Sequence, residues 1–98
     1  MSNPTLGIIG GGQLGSLLSV SARKLNINTV ILSDEDNAPA KNFATYFVSG
    51  NYEDEKILNE FANKVDLVTF EFENISYKIL NKINELKPVI PNPNINKL

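Results

Sequence analysis

Thr5-Leu6-Gly7-Ile8-Ile9-Gly10-Gly11-Gly12-Gln13-Leu14-Gly15 is the stretch that decides the fold. Residues 5–9 are a short, mostly apolar run that stops at glycine, which predicts a buried strand. Gly10-Gly11-Gly12 forces a tight turn. Beyond it Leu14, Leu17, Leu18, Ala22 and Leu25 recur at helical spacing, which predicts one apolar face of an amphipathic helix. Strand, glycine turn and helix therefore follow one another within the first quarter of the chain.

The same alternation continues outward. Residues 27–32 are rich in β-branched side chains and predict a second strand, followed by a polar turn over 33–37. Pro39 suits the first turn of a short helix reaching Ala44. Residues 46–48 predict a third strand, closed by Ser49-Gly50-Asn51. Ile57, Leu58, Phe61, Ala62 and Val65 form the next apolar stripe, on a helix opening near Glu53. Glu53, Asp54 and Glu55 then sit in its first turn, where the helix dipole favours negative charge. Residues 67–70 predict a fourth strand with the acidic segment 71–74 at its end. Ser76 is a fair N-cap for a helix carrying Ile79, Leu80, Ile83 and Leu86. Val89-Ile90, between Pro88 and Pro91, predicts a minimal fifth strand. Alternating strands and helices imply right-handed crossovers. The expected fold is α/β: a Rossmann-like, doubly wound, parallel five-stranded sheet in the order 3-2-1-4-5, with the first and fourth strands adjacent.

Composition bounds the chemistry. Ninety-eight residues make one domain, able to bury one core. The absence of cysteine excludes disulfides, and the absence of histidine excludes imidazole catalysis and the usual zinc sites. A net charge of −2 supplies no basic field for nucleic acid or an anionic membrane. No signal peptide and no membrane-length apolar run are present, so a cytoplasmic protein is expected.

Gly10 to Gly15 fits G-x-G-x-x-G in the strand-to-helix context that a nucleotide-binding turn requires. Glycines let the backbone approach an anion, and the amides of a helix start bind phosphate. Asp34 follows Gly15 by 19 residues, where a ribose-binding acid would sit in a nicotinamide site. An NAD-binding domain of a dehydrogenase is therefore a second reading. A turn that only packs a helix on a strand is a third. Val68-Thr69-Phe70-Glu71-Phe72-Glu73-Asn74 then places two acids at the C-terminal end of a strand, where open α/β sheets bind ligands. Paired acids could serve acid/base work or bind hydroxyl and amine donors, or form only a solvated loop.

Taken together, the Gly-Gly-Gly-Gln-Leu-Gly turn, Ala38-Pro39-Ala40, Gly50-Asn51-Tyr52, the Val68 to Asn74 segment and Pro91-Asn92-Pro93 resemble the amino-terminal domain of carboxyaminoimidazole ribonucleotide synthetases. These are ATP-grasp ligases of purine biosynthesis. The resemblance implies an enzyme that carboxylates the amine of aminoimidazole ribonucleotide, with bicarbonate, ATP and magnesium, giving ADP and phosphate. It implies that residues 1–98 are the substrate-binding domain. Gly10, Gly11, Gly12, Gln13 and Leu14 would cradle the ribonucleotide, Glu71 would be a substrate-binding carboxylate, and Glu73 and Asn74 would flank it. The ATP-grasp domains, with their lysine and carboxylate ligands, fall outside these 98 residues. The chain alone is thus expected to hold no ATP, no metal and no catalytic residue, and the full-length protein to be a homodimer. Four places depart from the family's common pattern: Ser16, Ser33, Asn51 and Pro91-Asn92-Pro93. None falls on Gln13 or Glu71.

Overall fold

The computed structural model describes residues 4–10, 12–70 and 76–90, with the side chains of Gln13, Leu14 and Tyr77 outside that description. Four strands, β1 (Thr5–Ile9), β2 (Asn28–Ser33), β3 (Tyr46–Ser49) and β4 (Leu67–Phe70), form one sheet in the order β3-β2-β1-β4. Every pairing is parallel. Helices α1 (Gln13–Lys24), α2 (Glu55–Asn63) and α3 (Tyr77–Asn84), with a short 3-10 helix at Pro39–Asn42, supply the crossovers.

Side-chain alternation along the strands divides the core into two layers. Ile9, Val30, Leu32, Val48, Val68 and Phe70 face α2 and α3, and pack with Leu58, Phe61, Val65, Leu80 and Ile83. Ile8 and Ile31 face the other way, against Leu18 of α1 and Ala40 of the 3-10 helix. Helices thus cover both faces of the parallel sheet, as expected.

Local chemistry explains where the elements start and stop. The side chain of Asp54 accepts from Lys56 N at 2.9 Å and caps α2, so that helix begins two residues later than the acidic run suggests. Ser76 caps α3 by accepting from Ile79 N at 3.3 Å. The end of α1 is a left-handed cap. Asn26 has φ 61°, its N–H donates to Arg23 O at 3.0 Å, and Ile27 N–H donates to Ala22 O at 2.8 Å. Ile27 is consumed in that cap, and β2 starts at Asn28.

Two expectations are corrected. Among the described residues the sheet has four strands, not five: residues 88–90 meet β4 at a single parallel bridge, Val68 with Val89. Val68 N–H donates to Pro88 O and Ile90 N–H to Val68 O, each at 2.8 Å. The next rung upstream would need an N–H on Pro88, which proline lacks. The buried face of α1 is also shifted around the helix from the one its leucines suggest, although Leu18 and Ala22 of that stripe do face the sheet. Leu17 is 66% exposed and Leu25 71%, while Ser19 and Ala22 are buried at 1% and 5%. Gly15 is buried beside them. The helix seats its small residues on β1 and β2, because these allow the closer approach of backbone to sheet.

Candidate functional site

β1 ends at Ile9, which pairs with Leu32 of β2 on one side and Phe70 of β4 on the other. β1 and β4 end on paired residues and β2 runs one residue further, so the three strand ends lie side by side at the C-terminal edge, where such sheets bind ligands. Gly10 turns the chain out of β1 with φ 109°, a conformation open to glycine and strained for other residues. Its N–H donates to Leu32 O at 2.7 Å and anchors the turn to β2. Gly12 is the N-cap of α1, with φ −81° and ψ −159°. Its carbonyl accepts from Ser16 N at 3.1 Å and from Ser16 Oγ at 3.3 Å.

The start of α1 carries neither a side-chain cap nor an acid in its first turn, whereas Arg23 and Lys24 complement the dipole at its end. In contrast, α2 and α3 both have side-chain caps. The positive end of the α1 dipole is therefore not offset by its own side chains. A negatively charged group placed there is stabilised by the dipole and by backbone donors.

The loops after β2 and β3 are tied together on the flank of this turn. Ser33 is buried, its Oγ accepts from Glu35 N at 3.1 Å and its carbonyl from Gly50 N at 3.0 Å. The Ser49 hydroxyl donates to the Asp36 carboxylate. Asn51 Oδ1 accepts from Glu53 N at 2.8 Å. Sequence reasoning did not single out these side chains as a network. The spacing of Ser33 to Glu35 and of Asn51 to Glu53 is a weak local signal, since short polar side chains often accept from the amide two residues on. The link from Asp36 to Ser49 has no such signal.

Of the residues expected at the site, Gly10, Gly12 and the backbone of Gln13 and Leu14 lie together at the junction of β1 and α1. Gly11, Glu71, Glu73 and Asn74 lie outside the described residues. Glu71 follows Phe70, the last residue of β4, directly in sequence. Asp34 is exposed just beyond β2. Elsewhere, Lys82 Nζ donates to Glu55 Oε1 at 2.9 Å, joining α3 to α2, and this hydrogen bond and the lysine charge hold the Glu55 carboxyl below its ordinary value. Among the described residues no three His, Cys, Asp or Glu side chains converge as metal ligands. No helix among them is long and apolar enough to cross a membrane.

Comparison with known proteins agrees with this geometry. Residues 3–97 match the family model of the ribonucleotide synthetase preATP-grasp domain. The chain is 43% identical over 82 residues to an N5-carboxyaminoimidazole ribonucleotide synthase of Staphylococcus epidermidis, a match covering 84% of this chain and 22% of the relative. A Staphylococcus aureus homologue is 43% identical over 81 residues, covering 83% of this chain and 22% of the relative. The chain thus spans less than a quarter of the length of these relatives, at their amino-terminal part.

Solved structures give the same answer. The S. aureus N5-carboxyaminoimidazole synthetase complexed with ADP superimposes with a TM-score of 0.85 at 39% identity, covering 92% of this chain and 24% of that one. The Aspergillus clavatus synthase in complex with ADP and 5-aminoimidazole ribonucleotide superimposes with a TM-score of 0.80 at 30% identity, covering 95% of this chain and 25% of that one. Of the readings open to the glycine turn, the findings favour the ribonucleotide synthetase over the dehydrogenase. The chain belongs to the ribonucleotide synthetase preATP-grasp domain family.

Proposed function

We propose that this chain is the ribonucleotide-holding domain of an ATP-dependent N5-carboxyaminoimidazole ribonucleotide synthase. The observation that carries the reading is the level pairing of Ile9 with Phe70. It sets the glycine turn after β1 beside the strand that leads into Glu71-Phe72-Glu73-Asn74. The aminoimidazole ribonucleotide in the complex of the A. clavatus relative supplies the chemistry of the ligand. In this reading Gly10, Gly11, Gly12, Gln13 and Leu14 cradle the ribonucleotide, with its phosphate at the start of α1. Gln13 can both donate and accept, which suits a ribose hydroxyl or a polar base edge. Glu71 accepts while ionised, which suits an amine or hydroxyl donor, and Glu73 and Asn74 support it. ATP and magnesium are held by the remainder of the full-length protein, which assembles as a twofold dimer. The domain alone neither hydrolyses ATP nor carboxylates the ribonucleotide.

The test is calorimetric affinity for aminoimidazole ribonucleotide in the full-length protein. Glu71→Gln keeps the shape and removes the charge, so binding weakens by about 1.5–3 kcal/mol, roughly tenfold to a hundredfold. Glu55→Gln, on α2, is the matched control and binds as wild type does. Equal affinities for the two variants would remove Glu71 from the site. Bicarbonate-dependent phosphate release from ATP by the 98-residue chain would overturn the division of labour.

A further inference from the structure

Residues 88–90 are held to the sheet at one place. On the inner side, Pro88 O and Ile90 N–H bond to Val68 of β4, each at 2.8 Å. Alternation then directs the N–H of Val89 away from β4, toward the outer edge. There Asn84 Oδ1, on the last residue of α3, accepts it at 3.0 Å. Val89 is 3% exposed and belongs to the core, so its amide has little access to water and needs this acceptor. Lys87 Nζ adds a second tie, donating to Val65 O at 2.5 Å. The end of α3, the turn after it and the bridge thus form one brace on the outer edge of β4. Val68 is the shared member, paired with Gly7 on one side and Val89 on the other. The brace is therefore only two strands from the glycine turn.

We propose that Asn84 is a positioning residue: it fixes the line along which the chain leaves the sheet for the rest of the protein, and so keeps the bound ribonucleotide in register with the nucleotide-handling part. The inference rests on the functional reading above and on the chain matching the amino-terminal part of relatives in which it spans 22% of the length. Without the acceptor, what holds the segment among the described residues is its inner bonds, Lys87 and the packing of the Val89 side chain. The two parts then rock against each other, and ATP turns over without carboxylation.

The experiment uses the full-length protein and compares wild type, Asn84→Ala and Asn84→Asp, the last of which keeps an acceptor oxygen in place. Three quantities are measured below the melting temperature of each: ribonucleotide affinity, kcat for carboxylation, and phosphate released per ribonucleotide carboxylated. For Asn84→Ala, kcat falls by about tenfold or more, the scale set by small misplacements far from the chemistry. Phosphate release exceeds carboxylation, and ribonucleotide affinity is unchanged within error. Asn84→Asp restores both kcat and the ratio. A merely structural role would lower the melting temperature and the active fraction but leave the ratio of phosphate to product as in wild type. That result, or failure of Asn84→Asp to restore the ratio, overturns the proposal. Should Asn84→Ala not fold, Asn84→Ser carries the same comparison. A wild-type protein that neither binds nor carboxylates the ribonucleotide overturns the functional reading itself, and is recognised before any variant is made.

Discussion

The ring of Phe61 occupies the place where a side chain on Gly7 would stand: a Cβ on Gly7 would lie 2.6 Å from Phe61 Cζ and 2.9 Å from Val65 Cγ1. Phe61 is fully buried in the core, so the ring cannot turn out into solvent without leaving its neighbours. Gly7 thus lets α2 lie close on β1, three residues before the glycine turn.

Gly7→Ala is expected to overpack this contact and destabilise the domain by about 1–3 kcal/mol. In a domain of this size each 1 kcal/mol moves the melting temperature by roughly 4–8 °C. Phe61→Leu added to Gly7→Ala should recover part of the loss, since residues in contact are not additive. Thermal melts of the three variants decide it. A Gly7→Ala melt at the wild-type temperature would mean that the core absorbs the methyl group.

Removing the caps of α2 and α3 should cost measurable stability. Asp54→Ala and Ser76→Ala each lose about 0.5–2 kcal/mol, and Asp54→Gly only a few tenths. Urea unfolding curves provide the comparison. Equal losses for Asp54→Ala and Asp54→Gly would point away from capping and toward a lost charge.

At Gly12 the two properties of a helix start separate. Its backbone lies where ordinary residues are unstrained, so Gly12→Asp adds a cap and a negative charge to α1. The domain should gain about 0.3–1 kcal/mol from the dipole. In the full-length protein, affinity for the ribonucleotide should fall at least roughly tenfold, because the carboxylate stands where the proposed site holds the phosphate. A variant that is more stable and still binds normally would place the phosphate elsewhere.

The contact between Glu55 and Lys82 should leave a pH signature. The folded state holds the Glu55 carboxyl below its ordinary value of 4.5, chiefly through the hydrogen bond from Lys82 and then through its charge. The stability so gained is complete above the unfolded value and lost as pH falls through the folded one. The difference in stability between wild type and Glu55→Gln should therefore be small but present at about pH 7 and vanish by about pH 2. Both side chains are exposed, so salt should shrink it as well. A difference that grows on acidification would mean that another group is responsible.

Much of the fold was legible along the chain. Ser76 read as a helix start because capping joins one side chain to nearby amides, whereas the acidic run 53–55 put the start of α2 two residues early, with Asp54 inside the helix instead of capping it. The neighbourhood of β1 and β4 followed from the alternation of elements and the switch point of a doubly wound sheet. The glycine turn was legible because the positive φ of Gly10 is a single-residue requirement. The knot of Ser33, Asp36 and Ser49 was not, since its partners come from loops after two different strands. Among the described residues the minimal fifth strand comes down to one bridge, and upstream of it Pro88 lacks the donor for a further rung, a detail that matters only once its neighbour in the sheet is known.

What the amino-acid order determined by itself is the succession of strands and helices from β1 to α3 and the glycine turn after β1, because periodicity, capping and glycine geometry act over a few residues. What only the tertiary structure decided is which surfaces meet. Of the expected stripe Leu14, Leu17, Leu18, Ala22 and Leu25, the sheet accepts Leu18 and Ala22, takes Gly15 and Ser19 beside them, and leaves Leu17 and Leu25 in the open. Helical period selects an arc by hydrophobicity alone. The seat on β1 and β2 is chosen by how closely two backbones can approach, a property of the pair of surfaces and not of either segment.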